Sequence, residues 1–344
     1  MTESDTTQER VEPHNPSTDV TPKSVGIGGG RLGIALFIAI LAVSTASIFI
    51  RFAQSEAPSL VIAALRLTFA SLALAPIALT RHRAELKALS RGEILLGLLS
   101  GLFLAAHFAT WISSLEYTTV ASSVVFVSTG PLWVALLSPI FLREPLTRPI
   151  LIGMSLALVG GIIIGLADAC TWNNGLVCPS LSQIMHGRML FGNFLALAGA
   201  WMVAGYLIIG RKLRVKMSLM PYIFLVYSMA ALCLLIVVAI AHENLFGYSW
   251  LTYVWILLLA LIPQLIGHST YNWALAYLPA AFVAVMTLGE PIGSSVLAYF
   301  ILKEAPGFTV IAGGGMILVG IYFATRGNNK KSNTKDTKDT KEKT

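Results

Sequence analysis

The chain has 344 residues, of which 56% are hydrophobic and only 12% are charged. Soluble domains carry about 25% charged residues, so this composition excludes an ordinary soluble domain and favours a membrane protein. The net charge of +7 comes from short Lys and Arg clusters between apolar stretches. That pattern predicts orientation in a membrane and argues against a nucleic-acid-binding protein.

Both ends of the chain are polar. Residues 1–31 combine Pro13, Pro16 and Pro22 with a run of glycines, which predicts a disordered N-terminal tail. Residues 326–344 repeat Lys, Asp and Thr, which predicts a second disordered, basic tail.

Ten apolar segments lie between the tails, and most are about 20 residues long, enough to cross ~30 Å of hydrocarbon as a helix. An open strand cannot satisfy its backbone hydrogen bonds in lipid, so the sequence predicts an all-α membrane protein with ten transmembrane helices. Numbered 1 to 10 in chain order, the segments are Leu32–Phe52, Leu60–Thr80, Ile94–Leu115, Val120–Leu142, Ile150–Ala167, Met189–Gly210, Tyr222–Ala241, Leu251–Leu278, Ala280–Leu302 and Phe308–Thr325.

Basic residues are unevenly distributed over the connecting loops. The loops that lead from an even-numbered to an odd-numbered segment hold ten Lys and Arg residues. The remaining connections hold three, counting Arg51 at the end of segment 1. The side richer in Lys and Arg faces the cytoplasm, so both tails are predicted to be cytoplasmic in a multi-pass protein of the inner or plasma membrane.

The chain resembles itself at a shift of 160 positions. Between residues 111–165 and 271–325, 12 of 55 aligned positions are identical, including the pairs Pro131/Pro291, Glu144/Glu304 and Gly160/Gly320. The shift places segments 4 and 5 on segments 9 and 10. It therefore predicts two five-helix repeats, residues 32–167 and 189–325, joined by an external loop at residues 168–188.

An odd number of spans per repeat inverts the second repeat in the membrane. Inverted repeats let a chain alternate between outward-open and inward-open shapes around a site near the midplane. In the external loop, Cys170 and Cys178 could form a disulfide or remain free thiols, and the sequence leaves both alternatives open. Cys233, inside segment 7, is interpreted as packing.

Four ionisable side chains lie inside the predicted spans: Arg66, His107, His268 and Glu290. Such groups cost at least about 2.5–3.5 kcal/mol at the centre of a membrane helix, so each is a candidate site residue. Glu290, near the middle of segment 9, could bind a cationic group or carry a proton. It could also form a structural ion pair with Arg66.

Two helical faces add further candidates. His107, Trp111 and Ser114 share one face of segment 3 by their spacing. His268, Tyr271 and Asn272 form a similar face on segment 8, with Trp273 adjacent. Both faces could line one substrate cavity, or each polar group could simply make an interhelical hydrogen bond.

Two stretches carry a family resemblance. Leu115 to Gly160 contains Pro131 and Leu142-Arg143-Glu144, and Leu275 to Gly320 contains Glu290-Pro291 and Leu302-Lys303-Glu304. This doubled pattern resembles the EamA family of the drug/metabolite transporter superfamily. The resemblance implies a ten-helix secondary transporter, often an exporter of amino acids or related metabolites.

The resulting functional hypothesis is a secondary active transporter for a small, amine-bearing metabolite, with protons as a possible coupling ion. One buried carboxylate near Trp and Tyr suits an ammonium group. No GxxxxGK loop and no cluster with metal-ligand spacing occurs in the sequence, so no cofactor is expected. The expected partners are a small-molecule substrate and the lipid bilayer, in a monomer or a homodimer. The alternatives are a non-transporting membrane protein with a transporter fold and an intramembrane lipid enzyme.

Overall fold

The computed structural model describes residues 29–117, 123, 126–169, 171–172, 176–177, 188–302, 311–320 and 322–323. Nearly all of them are helical, apart from the two-residue strands Thr171–Trp172 and Leu176–Val177, which pair antiparallel. Cys170, Cys178 and most of the two predicted tails lie outside the described residues.

Among the described residues, six helices are long and apolar enough to cross a membrane. They are Gly30–Ala53, Ser59–Arg81, Arg91–Tyr117, Leu190–Arg214, Leu219–Ile240 and Trp250–Ala274. They coincide with segments 1, 2, 3, 6, 7 and 8, so the prediction of an all-α membrane protein is confirmed. Shorter apolar helices occupy the other four segments, at Gly130–Phe141, Arg148–Gly160, Ala280–Ser294 and Ile311–Gly320.

Large apolar side chains are exposed along long and short helices alike. On the long helices, Phe37 is 61% exposed and Leu72 is 62% exposed. On two of the shorter helices, Ile140 is 71% exposed and Ile311 is 62% exposed. Soluble proteins rarely expose contiguous apolar surface of this kind. The short helices therefore present surfaces of the same lipid-compatible character as the long ones.

Several of the main helix contacts recur between the counterpart segments of the two predicted repeats, that is, between segments whose numbers differ by five. Segment 3 packs against segment 6, and segment 8 packs against segment 1. Segment 4 likewise contacts segment 6, while segment 9 contacts segment 1. Segments 2 and 7 contact each other directly, as do segments 4 and 9.

Four glycines bring segments 5 and 10 into close backbone contact. A Cβ added to Gly160 would lie 2.4 Å from the carbonyl oxygen of Gly313, and a Cβ added to Gly320 would lie 2.4 Å from that of Gly153. Only glycine permits so close an approach. As the residue number rises from 153 to 160 the partner falls from 320 to 313, so the two helices run antiparallel.

Segments 4 and 9 are both interrupted at equivalent positions. A turn at residues 128–129 precedes the helix Gly130–Phe141, and a turn at residues 288–289 separates Ala280–Thr287 from Glu290–Leu302. The two turns are 160 positions apart, the same shift as the sequence repeat. Each interruption precedes a proline at the start of the following helix, Pro131 or Pro291, where the missing N–H costs least.

Segment 8 contains a different irregularity, a nine-residue π-helix at Ala260–His268 between two α-helical stretches. Pro263 lies inside it and cannot donate to the helical hydrogen-bond ladder. The wider π turn absorbs that defect, and such turns are frequent at functional sites.

Glu85, on the short helix Arg83–Ala88 between segments 2 and 3, fastens the loop between segments 6 and 7. Its carboxylate accepts hydrogen bonds from the Ser218 amide at 2.8 Å and the Ser218 hydroxyl at 2.5 Å. Burial opposes ionisation, but these bonds and nearby His82 outweigh it and hold the pKa of Glu85 below its ordinary value of 4.5. Ser218 precedes the helix Leu219–Ile240, so the contact fixes where that helix begins.

Replacing Glu85 with alanine is expected to lower the stability of the purified protein at pH 7 by about 1 kcal/mol, because two hydrogen bonds are lost at a half-exposed position. The folded-state pKa is depressed, so the stabilisation is complete above pH 4.5 and disappears as the pH falls through the folded-state value. Melting temperatures of the variant and the parent protein should therefore begin to converge below pH 4.5 and coincide only below the depressed folded-state pKa of Glu85. A difference that stays constant with pH would contradict this role.

Glu144 joins three other parts of the chain on the same side of the molecule. Its carboxylate accepts a hydrogen bond from Arg211 Nε at 2.6 Å and from the Ala280 amide at 3.0 Å. Arg211 also donates to the carbonyl oxygen of Leu275 at 2.6 Å. The ends of segments 4, 6 and 8 and the start of segment 9 thus meet at one buried ion pair.

Candidate functional site

Arg66, on segment 2, is the centre of a buried polar cluster. Its side chain is 0% exposed. The guanidinium lies over the Phe108 ring, with its carbon 4.1 Å from the ring centroid, within the range of a cation–π contact. Nε donates to Gln264 Oε1 at 3.0 Å, whereas Nη1 and Nη2 have no hydrogen-bond partner among the described residues.

Gln264 is positioned by the π-helix of segment 8 and was not predicted as a site residue. It directly follows Pro263, is completely buried, and has an Nε2 atom without a partner among the described residues. A signal existed in the sequence, since an amide beside a proline in the middle of an apolar segment is an uncommon pair. The local π geometry that turns this amide toward Arg66 could not be derived from the sequence.

His107 and Trp111 adjoin Phe108 on segment 3, as their spacing predicts. The two rings stack with centroids 5.9 Å apart. His107 Nδ1 donates to the Gly199 carbonyl oxygen on segment 6 at 2.9 Å. Because Nδ1 carries the proton, Nε2 of a neutral ring is left as an acceptor. Trp111 Nε1 is buried without a partner among the described residues.

His268 and Tyr271 continue the cluster on segment 8. The His268 ring meets Phe108 edge-on at 5.4 Å and Tyr271 at 6.4 Å. Aromatic contacts therefore run without a gap from Trp111 on segment 3 to Tyr271 on segment 8, and the two predicted faces adjoin. The Tyr271 hydroxyl is buried and has no partner in the described part of the chain.

Asn272 is held from two sides. Its Nδ2 atom donates to the hydroxyl of Tyr206 at 2.5 Å and to the carbonyl oxygen of His268 at 2.9 Å, with Tyr227 farther away at 3.4 Å. Arg214 Nε donates to the Asn272 backbone oxygen at 2.9 Å. Asn272 Oδ1 is the remaining free acceptor, without a partner among the described residues.

Glu290 is the first residue of the second half of segment 9. Its backbone oxygen accepts a hydrogen bond from the Ser44 hydroxyl at 3.2 Å, and its side chain is partly exposed. A carboxylate at a helix N-terminus is favoured by the helix dipole. Arg66 and Glu290 form no salt bridge within 4.0 Å in the described structure.

Ser114 and Trp273 make their contacts outside this cluster. The Ser114 hydroxyl donates to the Trp111 carbonyl oxygen at 2.6 Å and lies 2.6 Å from the Ser123 hydroxyl. Trp273 stacks edge-on with Tyr277 at 5.3 Å. It also lines an apolar groove of about 280 Å³ between segments 2, 7 and 8.

The cluster contains five kinds of side-chain group that lack a hydrogen-bond partner among the described residues. The donors are the two terminal nitrogens of Arg66, Nε2 of Gln264, Nε1 of Trp111 and the Tyr271 hydroxyl, and the acceptor is Oδ1 of Asn272. Buried polar groups are nearly always hydrogen-bonded in folded proteins. A concentration of unpaired groups around opposite charges is chemically suited to a polar, charged solute.

The described residues contain no group of three His, Cys, Asp or Glu side chains that could hold a metal ion. The charged group at the centre of the cluster is the guanidinium of Arg66. That arrangement can bind and orient a solute.

Comparisons with known proteins agree with this description. The sequence profile of the EamA-like transporter family matches residues 31–166 and again residues 190–326. An uncharacterized transporter of Archaeoglobus fulgidus is 23% identical over 295 residues, which cover 85% of this chain and 95% of the relative. The uncharacterized transporter YetK of Bacillus subtilis is 26% identical over 210 residues, 60% of each chain.

One solved crystal structure shares the fold. It superimposes with a TM-score of 0.69 at 19% sequence identity, covering 86% of this chain and 96% of the other. The two matches of the family profile begin 159 positions apart and end 160 positions apart, close to the internal shift of the sequence.

Proposed function

Because the chain belongs to the EamA-like transporter family, we propose that it is a secondary active exporter that moves a small amine-bearing metabolite, such as an amino acid, across the cell membrane. In this proposal ten helices form two inverted repeats around one central site. The export direction rests on the family resemblance alone, since inverted repeats have no intrinsic direction.

The antiparallel contact between segments 5 and 10 supports the inversion. These two segments are counterparts in the repeat, and their contacts pair Gly160 with Gly313 and Gly320 with Gly153. Exchanging each residue for its counterpart 160 positions away converts one contact into the other, which is the signature of a two-fold axis. Counterparts that run in opposite directions indicate repeats with opposite membrane orientation.

The loop contacts support the proposed sidedness. Glu85 and Ser218 lie in two loops that the positive-inside pattern assigns to the cytoplasm, and they are hydrogen-bonded to each other. Glu56 and Ser249 lie in two loops assigned to the outside, and they too are hydrogen-bonded, at 2.9 Å. Loops assigned to the same face thus pair with each other, and both tails would then be cytoplasmic.

The position of Glu290 is the observation that carries the substrate assignment. It begins a half-helix at the interruption of segment 9, and interrupted helices are where transporters of inverted-repeat architecture build their binding sites. An ammonium group of the substrate would be bound by this carboxylate and by the π faces of the neighbouring aromatic rings. A proton on Glu290 could substitute for the substrate, which would couple transport to protons.

Counterflow tests the proposal. Purified protein reconstituted in liposomes that are preloaded with an unlabelled amino acid should accumulate the labelled amino acid transiently above equilibrium. Each of the twenty L-amino acids is assayed singly, together with simple amines such as ethylamine and phenethylamine. Protein-free liposomes are the control. Absence of counterflow for every compound would refute the proposed function.

A further inference from the structure

The unpaired edge of Arg66 is the most unusual polar feature in the described part of the chain. A guanidinium that is 0% exposed would ordinarily use all its donors, yet Nη1 and Nη2 have no partner among the described residues. A purely structural arginine at this depth would be expected to have both terminal nitrogens satisfied, because the cost of burying a charge is offset only when its hydrogen bonds are made.

The surroundings of Arg66 fix how the guanidinium is presented. Gln264 accepts from Nε at 3.0 Å, and the Phe108 ring covers one face at 4.1 Å. Rotation of the planar group would break both contacts. The edge that remains for a ligand is the pair of parallel donors Nη1 and Nη2, whose geometry matches the two oxygens of a carboxylate.

The opposite charge is separated from this edge. Glu290 begins the second half of segment 9, and it forms no salt bridge with Arg66 within 4.0 Å in the described structure. A solute that carries both a negative and a positive group would supply each of these two residues with its own counter-charge. The free Oδ1 of Asn272 could accept from an ammonium group, and the free Tyr271 hydroxyl could donate to a carboxylate.

We propose that Arg66 is the carboxylate-binding residue of the transport site, so that the solute is a zwitterion held by its carboxylate on Arg66 and by its ammonium group on Glu290. This inference rests on the proposed transport function and narrows it. Amino acids with a free carboxylate are substrates, whereas simple amines and quaternary organic cations are not. Gln264 and Phe108 are positioning residues that hold the guanidinium in place.

Competition among matched compounds tests the proposal in reconstituted protein. The amino acid with the largest counterflow is challenged with two unlabelled analogues, the amine that lacks its carboxylate and the acid that lacks its amino group. Neither analogue alone should compete at concentrations at which the amino acid competes fully. Counterflow of the amine in the parent protein at a rate equal to that of the amino acid would overturn the zwitterion assignment and leave the transport function standing.

Arg66→Lys provides the second readout, since it keeps the charge but loses the paired donors. The apparent affinity for the amino acid should fall by about tenfold or more, the equivalent of one strong hydrogen bond, and the preference over the amine should shrink. Arg91→Lys, at the exposed first residue of the helix Arg91–Tyr117, is the matched control and should behave as the parent.

Arg66→Gln extends the test to complete loss of the charge. Melting temperature and gel-filtration profile identify variants that fail to fold. If Arg66→Gln fails to fold, Arg66→Lys alone decides whether Arg66 binds the carboxylate. An unchanged ratio of amino-acid to amine affinity in folded Arg66→Lys protein would show that Arg66 is structural. Absence of counterflow for any amino acid or amine in the parent protein would refute the transport function as well.

Discussion

Replacing Glu290 with glutamine is expected to reduce counterflow by about thirtyfold or more. The substitution keeps the shape of the side chain and removes its charge, so an ammonium group of the substrate loses its only proposed counter-charge. Hydrogen bonds to charged groups contribute about 1.5–3 kcal/mol, and each 1.4 kcal/mol corresponds to a factor of ten.

The measurement is initial counterflow in liposomes with equal amounts of inserted protein. Glu290→Asp should retain part of the activity, because it restores the charge at a slightly shorter reach. Glu93→Gln is the control for loss of a carboxylate, since Glu93 lies in the first turn of the helix Arg91–Tyr117 and its carboxylate bonds only to Ser90 in the described structure. It should transport normally.

The stability of Glu290→Gln separates a functional role from a structural one. An uncharged residue is easier to place in a membrane helix than a charged one. The melting temperature of the variant should therefore lie at most a few degrees below that of the parent protein. A variant that transports at the parental rate would remove Glu290 from the mechanism. A variant that unfolds would instead identify Glu290 as a structural partner of Arg66.

Replacing Gly160 with leucine is expected to separate segments 5 and 10 and to lower the melting temperature by several degrees. A Cβ at this position would lie 2.4 Å from the Gly313 carbonyl oxygen and 2.9 Å from a side-chain carbon of Ile317. Backbone cannot move aside as a flexible side chain can. Overpacking costs about 1–3 kcal/mol or more, and each kcal/mol shifts the melting temperature of a protein this large by about 2–4 °C.

The repeat symmetry makes this prediction specific. Gly320→Leu should have an effect of similar size, because Gly320 makes the equivalent contact with Gly153. The double variant should be less destabilised than the sum of the two, since either substitution alone already separates the helices. Gly315→Leu is the control, because a Cβ at Gly315 on the same helix would meet no atom within 4 Å.

Thermal unfolding in detergent, followed by loss of the monodisperse gel-filtration peak, measures these effects. Equal destabilisation by Gly160→Leu and Gly315→Leu would show that the close contact does not contribute. A large effect at Gly160 with none at Gly320 would contradict the symmetric arrangement of the two segments.

Much of the architecture could be predicted from the sequence because hydrophobic length is a strong constraint. The six long helices lie on segments 1, 2, 3, 6, 7 and 8 as expected, since a long apolar run has no alternative to a helix in lipid. The shift of 160 positions was visible because Pro, Glu and Gly recur at fixed places. It reappears in the paired turns at residues 128–129 and 288–289.

The interruptions themselves were less predictable. Segment 9 was expected as one continuous apolar helix, but it breaks immediately before Glu290. A proline at the first position of a helix and one inside a continuous helix look alike in a sequence. Only packing decides between them, here through Gly289 and Gly293, which approach Ile40 and Ser44 of segment 1.

The candidate site was predicted in its outline and incomplete in its detail. Helical spacing placed His107 with Trp111, and His268 with Tyr271 and Asn272, because periodicity determines which residues share a face. It could not show which faces meet, so Gln264, Phe108 and Tyr206 were missed. Arg66 was assigned to the site only because burying its charge is costly. The way its two unpaired terminal donors are presented depends on the positions of Gln264 and Phe108.

Cysteine accessibility tests the inverted arrangement most directly. Lys87, between segments 2 and 3, and Phe246, between segments 7 and 8, lie in equivalent loops of the two repeats, and both are exposed. Each is replaced singly by cysteine in a variant whose three native cysteines are serine, and intact cells are treated with a membrane-impermeant maleimide. Inversion predicts labelling of Phe246→Cys in intact cells and of Lys87→Cys only after lysis. Labelling of both positions from the same side of the membrane would contradict it.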